Sequence, residues 1–264
     1  MAMSPRKRAQ VSRQVQYVVL LLLVLLFVLF ADWGTIQDRF FDPGIAADML
    51  PTVFTVALKN TIIYTLCGFT FGLVLGLVLA LMRLSPVGPY RWLATGFIEL
   101  FRGVPALVVF IALAFGVPTA FPGRAIPGGV LGTVTIALGV VGAAYMAETI
   151  RAGIQAVPKG QMEAARSLGM SQGRAMRSIV VPQAFRIVLP PLTNELILLT
   201  KDSSLVYILG LSLTTFELTK FGREQLVQTA NMTPIMAIAM CYLLITIPLS
   251  IVVRRMEARA ERAR

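Results

Sequence analysis

Apolar residues in this chain come in long unbroken runs. The clearest reads YVVLLLLVLLFVLFA from Tyr17 to Ala31 and carries no charge. Further runs cover roughly 52–82, 104–117, 129–150, 179–216 and 234–253. A lipid hydrocarbon core offers backbone N–H and C=O groups no partner, so a run at that depth must satisfy them within itself, as a helix of about 20 residues. Six such runs predict an all-α membrane protein with six transmembrane helices. The composition agrees: 56% of the 264 residues are hydrophobic and the mean hydropathy is +0.77, above the apolar share of an ordinary soluble domain.

The first run is short for a span, and the basic residues Arg6, Lys7, Arg8 and Arg13 before it resemble the start of a secretory signal. The sequence after it, Leu29-Phe30-Ala31-Asp32-Trp33, offers no small-residue cleavage site. Residues 17–31 are therefore expected to stay as an uncleaved first helix, with Trp33 at the membrane interface. The first part of the second run, up to Lys59 and Asn60, is expected to lie along that interface. Arg83, Pro86, Gly88, Pro89 and Arg91 mark a loop. Pro118, Pro122, Gly123, Pro127 and Gly128 mark a rigid turn. The fifth run is expected to break at Pro182, Pro190, Pro191 and at the charges of Lys201 and Asp202.

The net charge of +11 invites a nucleic-acid reading. The positions of the charges argue against it. Eighteen of the 24 lysines and arginines fall before residue 17, in 83–102, in 151–186 and after residue 253. With six spans all four regions lie on one side, and the positive-inside rule makes that side cytoplasmic, with both termini inside. There is no histidine, and Cys67 and Cys241 lie apart inside apolar runs, so neither metal-ligand spacing nor a histidine base is present. No GxxxxGK[ST] loop occurs, so the chain has no phosphate cradle of that kind. A membrane enzyme finds no support in these residues.

Two small-residue stripes suggest how the helices pack. Gly68, Gly72, Gly76 and Ala80 recur every four residues in the second run, and Gly139, Ala143 and Ala147 do so in the fourth. Such a stripe lets another helix backbone approach closely.

Residues 151–178 form the longest polar stretch inside the chain. Within it Pro158 suits the first turn of a short helix, and Gly169 suits a left-handed C-terminal cap. Met162, Ala164, Ala165 and Leu168 would give that helix a small apolar face, flanked by Glu163 and Arg166 and shaped for docking into a groove on a soluble partner.

Here the sequence resembles a known family. Glu163-Ala164-Ala165, Gly169 after three intervening residues, then Ile179 and Pro182 resemble the EAA loop of bacterial ABC importer permeases, departing only in Val181, where leucine is usual. Glu99-Leu100-Phe101-Arg102-Gly103-Val104-Pro105 resembles a segment of the permeases for polar amino acids. So do Ala144-Tyr145 through Arg151-Ala152-Gly153, Val157-Pro158-Lys159-Gly160-Gln161, Pro182-Gln183-Ala184, Leu189-Pro190-Pro191, Asn194, and Lys201-Asp202-Ser203-Ser204-Leu205. The resemblance covers roughly 50–253.

It implies a five-helix permease core with one extra N-terminal helix, in the bacterial inner membrane. It also implies that Glu163, Ala164, Ala165, Leu168, Gly169, Ile179 and Pro182 belong to a cytoplasmic coupling helix and its surroundings. ATP-binding subunits would carry ATP and Mg, an extracytoplasmic solute-binding protein would deliver substrate, and a second permease chain, identical or related, would complete the pore. The resemblance implies no cofactor in this chain and no nucleic-acid partner. A stand-alone secondary transporter or channel for a small polar solute is the alternative reading. Such transporters usually repeat their halves, and the 151–178 loop has no twin.

Ionisable residues at membrane depth are functional candidates by default. Asn194 and Lys201 are seven residues apart, as are Glu195 and Asp202. Each pair would share a helix face, about 10 Å along the axis. A face offering carboxylates and a lysine suits an amino-acid zwitterion, and a structural charge network is the alternative. The resemblance adds Ser203 and Ser204 to these substrate-path candidates.

Overall fold

The computed structural model describes residues 5–124, 126–209 and 214–262, and among them every regular element is a helix. The very start of the basic N-terminus, residues 210–213 of the fifth apolar run and the last two residues of the tail lie outside the described residues. Helix α1 is Pro5–Phe30, followed by α2 (Trp33–Phe40) and α3 (Pro43–Thr52). A π-helical turn, Val53–Ala57, joins α3 to α4 (Leu58–Leu84). Then come α5 (Gly88–Gly103), α6 (Ala106–Ile111), a second π turn at Ala112–Gly116, and α7 (Val117–Ala120). Helix α8 is Gly129–Gln155, and the short α9 (Lys159–Ser167) and α10 (Gln172–Ala175) lead through a third π turn into α11 (Val181–Asp202). A 3₁₀ stretch, Ser203–Leu209, precedes α12 (Leu218–Thr229) and α13 (Thr233–Arg262).

Among the described residues four helical stretches are long and apolar enough to cross a membrane, within α1, from α2 through α4, in α8 and in α13. A fifth arises if α5 and the α6–α7 rod, bent by 106° at Val104 and Pro105, form one span. Helix α11 falls outside this set, since Arg186, Glu195, Lys201 and Asp202 interrupt it.

The described side chains of α1 are exposed on every face up to Phe30. Its bulky Leu, Val and Phe residues leave no smooth stripe for a neighbouring backbone, and lipid is the solvent that suits them. Trp33 ends the run, its ring edge-on to Phe27 and its Nε1 donating to the Val28 carbonyl at 2.8 Å. The polar region after it is two capped helices. Asp32 accepts from Thr35 N–H at 3.0 Å, and Asp42 accepts from Gly44 and Ile45 N–H at 2.8 and 3.1 Å, the carboxylate caps that a helix start calls for. Asn231 donates to the Asp38 carbonyl, Met232 N–H to that of Arg39, and Asp42 N–H to Thr233 Oγ1, tying this region to the start of α13.

The residues up to Lys59 and Asn60 run on into α4 without a break, at about 1.5 Å per residue. The core is the contact of α4 with α8. Gly68, Gly72 and Gly76 face Leu138, Gly139, Ala143, Met146 and Ala147. A Cβ on Gly72 would stand 3.0 Å from the Gly139 carbonyl oxygen, and one on Gly76 3.1 Å from that of Ala143. The two stripes expected from sequence meet each other.

Three expectations need correction. The loop after α4 is confined to Ser85–Val87, because Pro89 sits in the first turn of α5, where its missing N–H costs nothing. Pro118 likewise opens α7, so the rigid turn begins at Phe121 and is made by the left-handed Gly123, Gly128 and Gly129. Pro190 and Pro191 do not break α11. Neighbouring helices can support a proline in a buried helix, and α11 packs along both α8 and α13. The α-helix gives way to 3₁₀ only after Asp202.

Candidate functional site

A cavity of about 500 Å³ opens where α11 passes α8 and the bend between α5 and α6. Its wall on α11 carries Glu195, Leu198 and Asp202, and α8 contributes Gly142 and Tyr145. The α5 end contributes Arg102, and Gly103 through Ala106 follow as bare backbone and small side chains. The volume lies in the range of small-ligand sites.

The seven-residue spacing expected from sequence holds. Glu195 and Asp202 are both half-buried against the cavity, while Asn194 and Lys201 are both exposed on the adjoining face. Ser203 turns inward instead, fully buried and donating to the Thr200 carbonyl at 2.7 Å, and Ser204 is half-buried. Of the six substrate-path candidates, the structure brings Glu195 and Asp202 to one cavity and leaves Asn194, Lys201, Ser203 and Ser204 off its lining.

Arg102 and Tyr145 stand in the cavity and were not singled out from sequence as path residues. The Arg102 guanidinium lies 5.7 Å from the centre of the Tyr145 ring, in cation–π range. An arginine at the end of a helix, followed by Gly103 and Pro105, was the available signal, but its ring partner lies 43 positions further along the chain.

Among the described residues the ion pairs lie away from this cavity. At the far end of α4 and α8, Glu148 bridges Arg83 and Arg151, the latter at 2.8 Å, and Arg151 also donates to Gln155 at 2.6 Å. Lys220 pairs with Glu224 at 3.0 Å on α12. Among the described residues, Arg102, Glu195, Lys201 and Asp202 take part in no ion pair within 4.0 Å.

Glu217 is the opposite case. It is fully buried, caps α12 by accepting from Thr219 and Lys220 N–H at 2.6 and 2.7 Å, and accepts from the Tyr242 hydroxyl of α13 at 3.2 Å. Around it α4 fastens the preceding backbone. Asn60 Nδ2 donates to the Thr214 and Phe216 carbonyls at 3.0 and 2.9 Å, Tyr64 donates to that of Thr215 at 2.7 Å, and Leu218 N–H donates to Thr61 Oγ1 at 3.2 Å. Burial pushes the Glu217 carboxyl up to about 7, against the opposing pull of the Thr219, Lys220 and Tyr242 donors. Glu217 carries no sequence signal beyond being an acid before a helix.

The polar stretch folds as its end signals require. Pro158 is the N-cap of α9, and the chain leaves the helix through Gly169 at φ +83°. Gly169 N–H donates to the Arg166 carbonyl and Met170 N–H to that of Ala165, the paired bonds of a Schellman ending. The expected single apolar face is two faces. Met162 packs on Val157, Val180 and Ala184, and Ala165, three residues on, also turns inward and is only 5% exposed. Ala164 and Leu168, four apart, point outward with Glu163, and Leu168 is 85% exposed. Ile179 lies half-buried in the π turn and its carbonyl accepts from Gln183 Nε2 at 3.0 Å, while Pro182 is exposed in the first turn of α11.

The comparisons with known proteins now bear on this arrangement. Residues 72–262 match the family described as binding-protein-dependent transport system inner membrane component. The chain is 38% identical to the probable glutamine ABC transporter permease protein GlnM of Bacillus subtilis, over 77% of this chain and 91% of that protein. It is 35% identical to the L-cystine transport system permease protein TcyB of the same organism, over 87% and 92%, and 35% identical to the glutamine transport system permease protein GlnP of Escherichia coli, over 76% and 90%. Among solved structures, a crystal structure of an amino acid ABC transporter with histidines superposes with a TM-score of 0.71 at 35% identity, covering 81% of this chain and 96% of that one. The matches favour an importer permease over a stand-alone transporter, and the chain belongs to the family of binding-protein-dependent transport system inner membrane components, as a multi-pass transporter subunit of the inner membrane.

Proposed function

We propose that this chain is the permease subunit that carries a polar amino acid across the bacterial inner membrane. A separate ATPase holding ATP and Mg drives it, and an extracytoplasmic solute-binding protein feeds it. The observation that carries the reading is the cavity at Glu195 and Asp202, within the segment matched by the family. Ionised groups at that depth are costly unless a partner or water meets them, and an amino acid's ammonium group is such a partner. The names of the relatives, for glutamine and cystine, support the substrate class.

In this reading six helices cross: α1, α4 with its leading π turn, the bent pair α5 with α6–α7, α8, α11 and α13. Residues 1–16 form a cytoplasmic N-terminus, 17–31 the extra first helix, 50–253 the permease domain, and 254–264 a cytoplasmic tail. Helix α9, in the loop 151–178, is the coupling helix. Glu163, Ala164 and Leu168 face the ATPase, Gly169 ends the helix, Ala165 faces inward, and Ile179 and Pro182 belong to the segment that leads from the coupling loop into α11. A second permease chain completes the pore.

The test is reconstitution of the permease with its ATPase and binding protein in proteoliposomes. Uptake of radiolabelled L-glutamine, L-arginine or L-cystine should require ATP. Uptake of the same strength with the ATPase left out would overturn the reading. Gly169→Val forces a branched residue into the left-handed region, and Glu163→Lys reverses the charge on the outward face. Both should keep ATP hydrolysis while uptake falls, and normal uptake in both would remove α9 from the coupling role.

A further inference from the structure

The cavity holds charges of both signs that do not meet each other. Glu195 and Asp202 line one wall and Arg102 stands on another, with no ion pair within 4.0 Å between them among the described residues. The cluster of Arg83, Glu148 and Arg151, by contrast, closes on itself. Two carboxylates alone would suit any amine. A guanidinium added to them asks for a ligand with an anionic group as well, and a planar fork of N–H donors matches a carboxylate with two parallel bonds.

The setting of Arg102 fits this task. Gly103 follows it on the cavity lining, and a Cβ built there meets nothing within 4 Å, so that part of the wall is unfilled. Tyr145 lies against the guanidinium and gives the long side chain a resting surface without using up its N–H donors.

We propose that Arg102 is the carboxylate receptor of this permease: it binds the α-carboxylate of the passing amino acid while Glu195 and Asp202 face the ammonium, and Tyr145 is the positioning residue that holds the guanidinium in place. This rests on the amino-acid reading above and deepens it. The site then selects α-amino acids against the amines that remain when the carboxylate is removed, whatever the solute-binding protein delivers.

The experiment measures binding to the purified permease–ATPase complex in lipid nanodiscs, without the binding protein. The probes are radiolabelled L-arginine and L-glutamine, each competed by its unlabelled self and by its decarboxylated form, agmatine or 4-aminobutanamide. The wild-type complex should prefer the amino acid over its amine by about tenfold or more, the weight of one charge-assisted hydrogen-bonded contact. Arg102→Gln should bring the two to within about twofold by weakening only the amino acid, and Arg102→Lys should keep an intermediate preference because a point charge replaces the fork. Tyr145→Phe should preserve the preference and Tyr145→Leu reduce it, whereas a merely structural role for Tyr145 would lower both ligands together.

An undiminished preference in Arg102→Gln overturns the proposal and leaves the amino-acid reading standing. If Arg102→Gln does not purify, Arg102→Lys decides alone, and an unchanged preference there overturns the proposal. A wild-type complex that binds the amines as well as the amino acids also overturns it. A wild-type complex that binds no amino acid removes the import reading and the proposal together.

Discussion

Glu217 and Asp202 are both carboxylates withdrawn from bulk water, and the fold treats them in opposite ways. Glu217 lies fully buried under two backbone N–H groups and a tyrosine hydroxyl, on a segment that α4 fastens from three side chains. Asp202 is half-buried on a cavity wall with no ion pair, and Glu195 shares its situation two turns away. A buried polar group whose partners lie within the chain is architecture, because losing it orphans those partners. A polar group left open at a cavity is available to something that comes and goes. The cluster of Arg83, Glu148 and Arg151 is of the first kind, though more exposed.

The contrast makes its largest prediction at Glu217. Glu217→Leu is close in size and removes every acceptor. Two N–H groups at the start of α12 and the Tyr242 hydroxyl would then lack a partner, at about 1–3 kcal/mol each where water does not reach them. A stability loss of about 3 kcal/mol is expected, read as a lower melting temperature and less folded complex in detergent, with the residual folded fraction still binding substrate. A melting temperature equal to wild type would show that water replaces the carboxylate and that Glu217 belongs with Asp202 after all.

The same residue gives the pH dependence. Glu217 lies in the cap of α12, between the membrane-spanning segments, and its carboxyl is raised by burial to about 7 from an ordinary value of 4.5. The folded protein therefore holds this proton more tightly than the unfolded chain does. The contribution is fully present below 4.5 and is lost as pH rises through 7. Melting temperature should decline from about pH 5 to about pH 8, and Glu217→Gln should flatten that decline. An equal slope in the variant would assign the dependence to another group.

Glu148 is expected to give a smaller effect. Glu148→Ala leaves Arg83 and Arg151 facing each other without their shared carboxylate. Their side chains are 23% and 27% exposed, so solvent screens part of the repulsion. A cost of about 1–2 kcal/mol is expected, between the ranges for exposed and for buried pairs. The charge-swapped pair Arg83→Glu with Glu148→Arg should recover less than half of it, because Arg151 would then face a second arginine. Full recovery would mean that Arg151 adds nothing.

How much of this was legible beforehand depended on the range of the interaction. The glycine stripes of α4 and α8, the Schellman ending at Gly169 and the shared face of Glu195 and Asp202 all follow from spacing within one helix, and they stand in the structure as the sequence implies. Spacing does not fix how a helix turns about its own axis. That is why Lys201 and Asp202, adjacent in sequence, could not be separated in advance into an exposed and a cavity-lining residue. It is also why Met162 and Ala165 face inward while Ala164 and Leu168 face out. The Arg102–Tyr145 contact, the Glu217 clasp and the Arg83–Glu148 bridge join residues from different helices, and nothing local announces them. The unbroken passage of α11 through Pro190 and Pro191 was missed for a related reason, since the support that makes it tolerable comes from the surrounding helices.

The smallest expected stability change is the most decisive for the comparison. Asp202→Asn keeps the shape and hydrogen-bonding capacity of the side chain and removes only its charge. Had Lys201 been its ion-pair partner, the change would leave an uncompensated buried cation, at a typical cost of about 3–5 kcal/mol. Lys201 points to the exposed face instead, and Asp202 makes no ion pair among the described residues. The variant should therefore melt within about 0.5 kcal/mol of wild type, as substitutions away from partnered networks do. Its uptake in proteoliposomes should still fall by about tenfold or more, because the ammonium of the substrate loses a charged partner in a site of low dielectric. A destabilised Asp202→Asn would move Asp202 into the class of Glu217 and make the cavity wall part of the scaffold. A stable variant with full uptake would place Asp202 in a wet vestibule that the substrate passes without contact. Stability retained with uptake lost is the outcome that separates an open charge from a structural one.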